Sequence, residues 1–173
     1  VIGILCAFFG TFLALKYLSS MLPKDAGREF AHDGKKSAGK PRGAGLIFIL
    51  AFDIVAVLFG KLNWEILIYL VLTMASMLTG YLDDASKNPW GEFKKGALDL
   101  LIACLVAGTY LAFNGSEIFI NVLGESISLN PIVFFILAVI LVWVSINVTN
   151  CTDGVDGLSG TLSVITLFTI YLL

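Results

Sequence analysis

Six long apolar runs alternate with short polar connections along this chain. The runs lie near 1–22, 43–60, 65–82, 97–113, 131–149 and 157–173, and the connections near 23–42, 61–64, 83–96, 114–130 and 150–156. A spanning helix needs ~20 mostly apolar residues to cross a hydrocarbon core of ~30 Å. Runs of this length are too long for barrel strands, and a helix satisfies its own backbone groups where lipid offers no partner. The pattern therefore predicts an all-α fold, a polytopic transmembrane helix bundle forming one domain over 1–173. One connection reads differently: Glu117-Ile-Phe-Ile-Asn-Val and Glu125-Ser-Ile-Ser-Leu alternate around Leu123-Gly124. That alternation predicts a small β-hairpin outside the membrane.

Composition strengthens the membrane reading. Of 173 residues, 58% are hydrophobic and 14% charged, with a mean hydropathy of +0.92, whereas soluble domains carry about 25% charged residues. The length leaves no room for a sizeable soluble domain. A net charge of −2, with cations segregated by loop rather than massed, gives no footprint for nucleic acid. Cys6, Cys104 and Cys151 fall in separate apolar or boundary segments, a spacing that suits neither a disulfide framework nor a metal knuckle. The chain opens on Val1 and stops at Leu173 within an apolar run, which reads as part of a longer protein. Val1–Leu15 lacks the basic n-region and cleavage site of a signal peptide, so a first span is expected there.

Loop charges orient the bundle. Connection 23–42 holds Lys24, Arg28, Lys35, Lys36, Lys40 and Arg42, and connection 83–96 holds Lys87, Lys94 and Lys95. On the opposite side, 61–64 holds only Lys61 and 114–130 has no Lys or Arg. The positive-inside rule then makes 23–42 and 83–96 cytoplasmic and leaves the N-terminus outside. Parity adds 150–156 to the cytoplasmic side. Trp64 and Trp90 stand at expected boundaries, where interfacial anchoring is the ordinary role.

The expected cytoplasmic face collects the residues suited to chemistry. Asp83 and Asp84 are adjacent carboxylates at the end of the third run, which raise each other's pKa unless a cation offsets them. Mg²⁺ suits such a pair, since it binds through one or two carboxylates plus substrate phosphates. Asp153 and Asp156 are three apart, close enough to share one side of a helical turn, and Gly154 and Gly157 let backbone approach a ligand. The bland readings are an exposed acidic helix end for the first pair and a polar cap for Asp156. Lys40-Pro41-Arg42-Gly43-Ala44-Gly45 offers cations for phosphate, or for anionic lipid alone. His32, the sole histidine, reads as a surface residue. Asp53 lies inside the second run, where an acid is a functional candidate by default, although packing toward polar groups explains it equally well.

Three of these segments carry a resemblance. Gly80-Tyr-Leu-Asp-Asp84 followed by Lys87, then Asn147-Val-Thr-Asn-Cys-Thr-Asp-Gly-Val-Asp-Gly157, resemble the polyprenyl-phosphate N-acetylhexosamine-1-phosphate transferases. Gly39-Lys-Pro-Arg-Gly-Ala-Gly45 resembles that family's glycine-rich first cytoplasmic loop, with Lys35 or Lys36 near its loop lysine. The resemblance covers nearly the whole chain and is strongest to the phospho-N-acetylmuramoyl-pentapeptide branch. It implies a bacterial cytoplasmic-membrane enzyme with ten helices, about six of them present here, working with Mg²⁺. Such an enzyme moves a sugar-1-phosphate from a UDP-sugar donor to a polyprenyl phosphate lipid acceptor and releases UMP. It implies catalytic roles for Asp83, Asp84 and Asp153. Asp83 and Asp84 would lie near metal and lipid phosphate, and Asp83 is one candidate base. Asn150, Asp153 and Asp156 would line the nucleotide side, with Gly154 and Asp156 near the uridine. Lys36, Lys87 and Lys94 or Lys95 would meet phosphates.

The resemblance also implies later cytoplasmic loops carrying a further metal-binding Asp and a histidine-rich motif, so residues 1–173 alone are expected to be inactive. A homodimer is compatible with it. The Pro41-Arg42 form of the glycine loop leans toward the GlcNAc-1-phosphate branch, which is the alternative donor. An ion-path fragment of a transporter is the rival from another class. It predicts acids spread through the membrane depth and inverted repeats, whereas only Asp53 hints at the former.

Overall fold

A computed structural model describes residues 2–25, 38–86, 88, 90–120, 124–152 and 157–172. Among them the chain is mostly helical. Helix α1 (Ile2–Leu18) continues into a 3₁₀ turn (Ser19–Met21), and α2 (Gly45–Phe59), α3 (Trp64–Ala85) and α4 (Glu92–Asn114) follow. A hairpin of β1 (Glu117–Ile120) and β2 (Glu125–Ser128) precedes α5 (Pro131–Thr152) and α6 (Leu158–Leu172). The six helices match the all-α expectation. The alternation within 114–130 does form antiparallel strands, pairing Glu117 with Ser128 through to Ile120 with Glu125.

Local chemistry explains the boundaries. The first helical stretch ends just before Pro23, which disfavours helical backbone in the residue before it. The Asn63 side chain accepts the Ile66 N–H at 2.7 Å, capping α3 at a position where Asn is strongly favoured. Asn130 does the same for Ile132 at 2.9 Å, and Pro131 takes the first helical position, where its missing N–H costs nothing. Within the helices, the hydroxyls of Thr73, Thr109, Ser145 and Thr169 donate to the carbonyl four residues earlier, at 2.7–2.8 Å. A hydroxyl bonded within its own helix can lie in an apolar medium at little cost.

The chain divides into two compact units, 1–95 and 96–173. In the first, α2 packs against both α1 and α3. Gly3 of α1 lies so close to Phe59 of α2 that a β-carbon there would sit 3.1 Å from the Phe59 Cβ. Small residues allow this approach where packing, not water exclusion, drives helix association. Asp53 is buried on α2, 9% exposed, and its Oδ1 has no hydrogen-bond partner among the described residues.

The second unit has its core between α4 and α5. Ala103, Ala107 and Val139 are buried there, with Cys104, Phe135, Ala138 and Val142 packed around them. Tyr110 stacks on Phe134 at 5.6 Å between ring centroids. At the other end of this seam the Trp143 indole N–H donates to the Gly96 carbonyl at 3.0 Å.

Four helical stretches, Ile2–Met21, Trp64–Ala85, Glu92–Asn114 and Pro131–Cys151, are long and apolar enough to cross a membrane. Helices α2 and α6 are apolar but shorter, at 15 residues each, which is ~22 Å at 1.5 Å per residue. Large apolar side chains cover the outside of the helices, and none of α1 or α6 is buried. This is a multi-pass membrane protein, with lipid in the place of water around its apolar surface.

Candidate functional site

Helix α3 continues through Asp83 and Asp84 to Ala85, so both acids occupy its last turn. That is an unfavourable place for negative charge. The helix dipole disfavours anions at a C-terminus by about 0.3–1 kcal/mol each, and the two carboxylates also repel one another. Each is held by a cation brought from a different part of the first unit.

Arg42 supplies the first cation. Its Nη2 lies 2.8 Å from Asp84 Oδ1. The local backbone explains the delivery. Segment 23–25 pairs with 39–42: the Asp25 N–H donates to Lys40 O at 2.8 Å, Gly39 N–H to Asp25 O at 2.8 Å and Arg42 N–H to Pro23 O at 2.7 Å. Gly43 then turns the chain at φ +70° against the Tyr81 ring; an added β-carbon would lie 2.9 Å from Tyr81 Cδ2. This short ribbon and the glycine turn seat Arg42 over the end of α3, one turn beyond Tyr81.

Lys95 supplies the second. Its Nζ lies 2.8 Å from Asp83 Oδ2, and the Trp90 backbone N–H donates to Asp83 Oδ1 at 2.7 Å. Both oxygens of Asp83 are therefore engaged. The Ser86 hydroxyl lies 2.7 Å from the Asp83 carbonyl and 2.6 Å from the Asn88 carbonyl, tying the connection back onto the end of α3. Helix α4 begins where the Gly91 carbonyl accepts the N–H groups of Lys94 and Lys95 at 3.0 and 3.2 Å. The Lys94 ammonium stands 3.4 Å from the centroid of the Trp90 ring, within cation–π range. The cluster balances two carboxylates against two cations while staying partly open to solvent.

The donor type suits Mg²⁺, which prefers hard carboxylate oxygens and fills its remaining positions with water and phosphate. Among the described residues no group of three or more His, Cys, Asp or Glu gathers to hold a metal. Asp83 and Asp84 are thus two donors whose charge Arg42 and Lys95 already neutralise. A dication arriving with phosphate anions suits that balance better than a bare one.

Of the residues singled out in the sequence, Asp83, Asp84 and Lys95 come together directly. Lys36, Lys87, Asp153, Gly154 and Asp156, with His32 and Lys35, lie outside the described residues. Asn150 is exposed in the last turn of α5, in the second unit. In the sequence Arg42 reads only as a generic phosphate cation and Trp90 only as an interfacial anchor. The Arg42 partnership depends on a backbone ribbon without a sequence signature, and the Trp90 partnership on a backbone N–H that any residue but proline carries.

The glycosyl transferase family 4 model matches residues 66–173. The chain is 40% identical over 156 residues to the phospho-N-acetylmuramoyl-pentapeptide-transferases of two strains of Treponema pallidum; the match covers 88% of this chain and 43% of each relative. The enzyme of the same name from Rippkaea orientalis is 32% identical over 140 residues, covering 75% of this chain and 38% of the relative. The chain thus spans about two fifths of the length of these curated relatives. No solved structure matches it significantly. Because the matched region runs from α3 through the acid pair and Lys95 to the end of α6, the chain belongs to glycosyl transferase family 4.

Proposed function

We propose that the protein transfers phospho-N-acetylmuramoyl-pentapeptide from its UDP donor to undecaprenyl phosphate, releasing UMP, in a Mg²⁺-dependent reaction of bacterial cell-wall synthesis. The observation that carries this reading is the pair of carboxylates in the last turn of α3, held by Arg42 and Lys95. Family membership and the names of the relatives support the substrate class. In this reaction a lipid phosphate oxygen forms a bond to the phosphorus attached to the sugar, and the bond from that phosphorus to UMP breaks.

Both reactants are anionic, so their approach must be screened and oriented. Lys95 and Arg42 would supply positive charge at the bilayer edge, and Asp83 would accept a proton from the lipid phosphate. An ionised carboxylate has about four lone-pair sites, so Asp83 keeps acceptor capacity beyond Lys95 and the Trp90 N–H. Asp83 and Asp84 would hold Mg²⁺, which would neutralise charge developing on the transferred phosphate. Asp153, with Asn150, Gly154 and Asp156, would serve the nucleotide side, and Lys36 and Lys87 would meet phosphates. Catalysis of this kind is mainly positioning and preorganised electrostatics.

The excess of Lys and Arg in 23–42 and 83–96 supports a cytoplasmic site and an outside N-terminus in the bacterial inner membrane. A second donor, UDP-GlcNAc, is favoured by one observation: the Pro41-Arg42 form of the glycine segment, whose Arg42 lies on Asp84. Assaying the intact protein with each UDP-sugar and undecaprenyl phosphate separates the two. Asp83→Asn, Asp84→Asn and Asp153→Asn are each expected to lower transfer more than about 100-fold, the scale of losing a preorganised charge. Substantial turnover in all three variants would sink the site assignment.

A further inference from the structure

We propose that Trp90 and Lys94 form a clamp that positions Asp83, a role distinct from membrane anchoring and from phosphate binding. The inference rests on the functional reading above for its kinetic consequences but on geometry alone for the clamp. Asp83 Oδ1 receives its hydrogen bond from the Trp90 backbone, seven residues along the chain. Any residue except proline at position 90 offers that N–H; what is special is how this one is held. The connection between α3 and α4 is short, and it is tied at both ends. The Ser86 hydroxyl lies within donating distance of the Asp83 and Asn88 carbonyls, with one proton for the two, and the Lys94 ammonium sits on the Trp90 ring at 3.4 Å. Lys94 and Lys95 are neighbours in the first turn of α4, and both amides bond the Gly91 carbonyl. One lysine therefore holds Asp83 Oδ2 directly, while the next holds the residue whose amide holds Oδ1.

The consequence is orientational. With one partner on each oxygen, the carboxylate plane is fixed; with Lys95 alone it can rotate about its Cβ–Cγ bond. Lys94 is exposed, and exposed lysines ordinarily point into water. Its place over the indole instead lets it act on Asp83 through Trp90. Trp90 and Lys94 are thus positioning residues, and their loss lowers the rate of the chemical step without weakening substrate binding.

The test is steady-state kinetics of the intact protein in membranes or detergent with undecaprenyl phosphate and the UDP-sugar it uses. Lys94→Met and Trp90→Leu are expected to lower kcat about fivefold, the rate equivalent of one exposed cation–π contact, with KM for both substrates within about twofold. Lys94→Arg and Trp90→Phe, which keep a cation over a π face, are expected to retain most of kcat. An unchanged kcat in Lys94→Met overturns the clamp and leaves Trp90 an interfacial anchor. A raised KM at constant kcat overturns it in favour of phosphate binding by Lys94. An independent readout is the tryptophan emission of Lys94→Met against wild type: a difference spectrum is expected, and identical spectra overturn the contact itself. If wild-type protein transfers no phospho-sugar, the functional reading fails, and identical emission spectra still overturn the Lys94–Trp90 contact on which the clamp stands.

Discussion

At the scale of single residues, the acid pair shows how much local disadvantage the fold sustains. Asp83 and Asp84 stand at the negative end of a helix and beside one another, two positions that each disfavour charge. Arg42 and Lys95 offset both effects through contacts at 2.8 Å. Gly43 matters because it delivers Arg42. At φ +70° a β-carbon is strained, and here it would also strike Tyr81 at 2.9 Å. Left-handed backbone costs an L-residue about 1–2 kcal/mol, and Tyr81 must shift as well, so Gly43→Ala is expected to destabilise the protein by at least about that amount. Denaturant titration in detergent measures this, and an unchanged midpoint would show that the turn does not depend on glycine. Asp53 remains the residue whose chemistry nothing in the fold explains.

At the scale of elements, helix ends decide more than helix interiors. The apolar interiors would be helical in lipid with almost any order of side chains, because lipid supplies no competing hydrogen bonds. Ends need specific residues. Asn63 accepts the Ile66 N–H and so fixes where α3 begins, well ahead of Asp83 in its last turn. Asn63→Ala is expected to lower stability by about 1 kcal/mol, with Asn63→Asp or Asn63→Ser restoring most of it, read from the thermal midpoint in detergent. A full loss with Ser would mean that Asn63 acts through something other than capping. At the far end of α3, the connection 86–91 is short enough that Lys95 in the first turn of α4 reaches back to Asp83.

At the scale of the whole molecule, two packed units carry apolar outer surfaces suited to lipid. The orientation proposed from loop charge gives a direct prediction. In intact protein with its native cysteines replaced, a single cysteine at Asn88 is expected to react with a membrane-impermeant thiol reagent only from the cytoplasmic side. One at Ser126, on β2, is expected to react only from outside. Labelling of both from the same side would remove the cytoplasmic site from the proposed function.

Apolar run lengths alone determined that the chain crosses a membrane as helices, because a hydrocarbon core sets the length of a span and these runs are too long for barrel strands. The alternation around Leu123-Gly124 likewise determined the hairpin, since a period of two matches a strand and not a helix. Asp83, Asp84 and Lys95 were legible as candidates, because a charge at a bilayer edge is costly enough to single out. Their pairing was not legible. That Arg42 holds Asp84, Lys95 holds Asp83 and the Trp90 amide completes Asp83 depends on where a ribbon, a glycine turn and a short connection deliver atoms to within hydrogen-bonding distance. Hydropathy and spacing carry the period of a helix; they do not carry the distance between side chains that meet only after the helices pack.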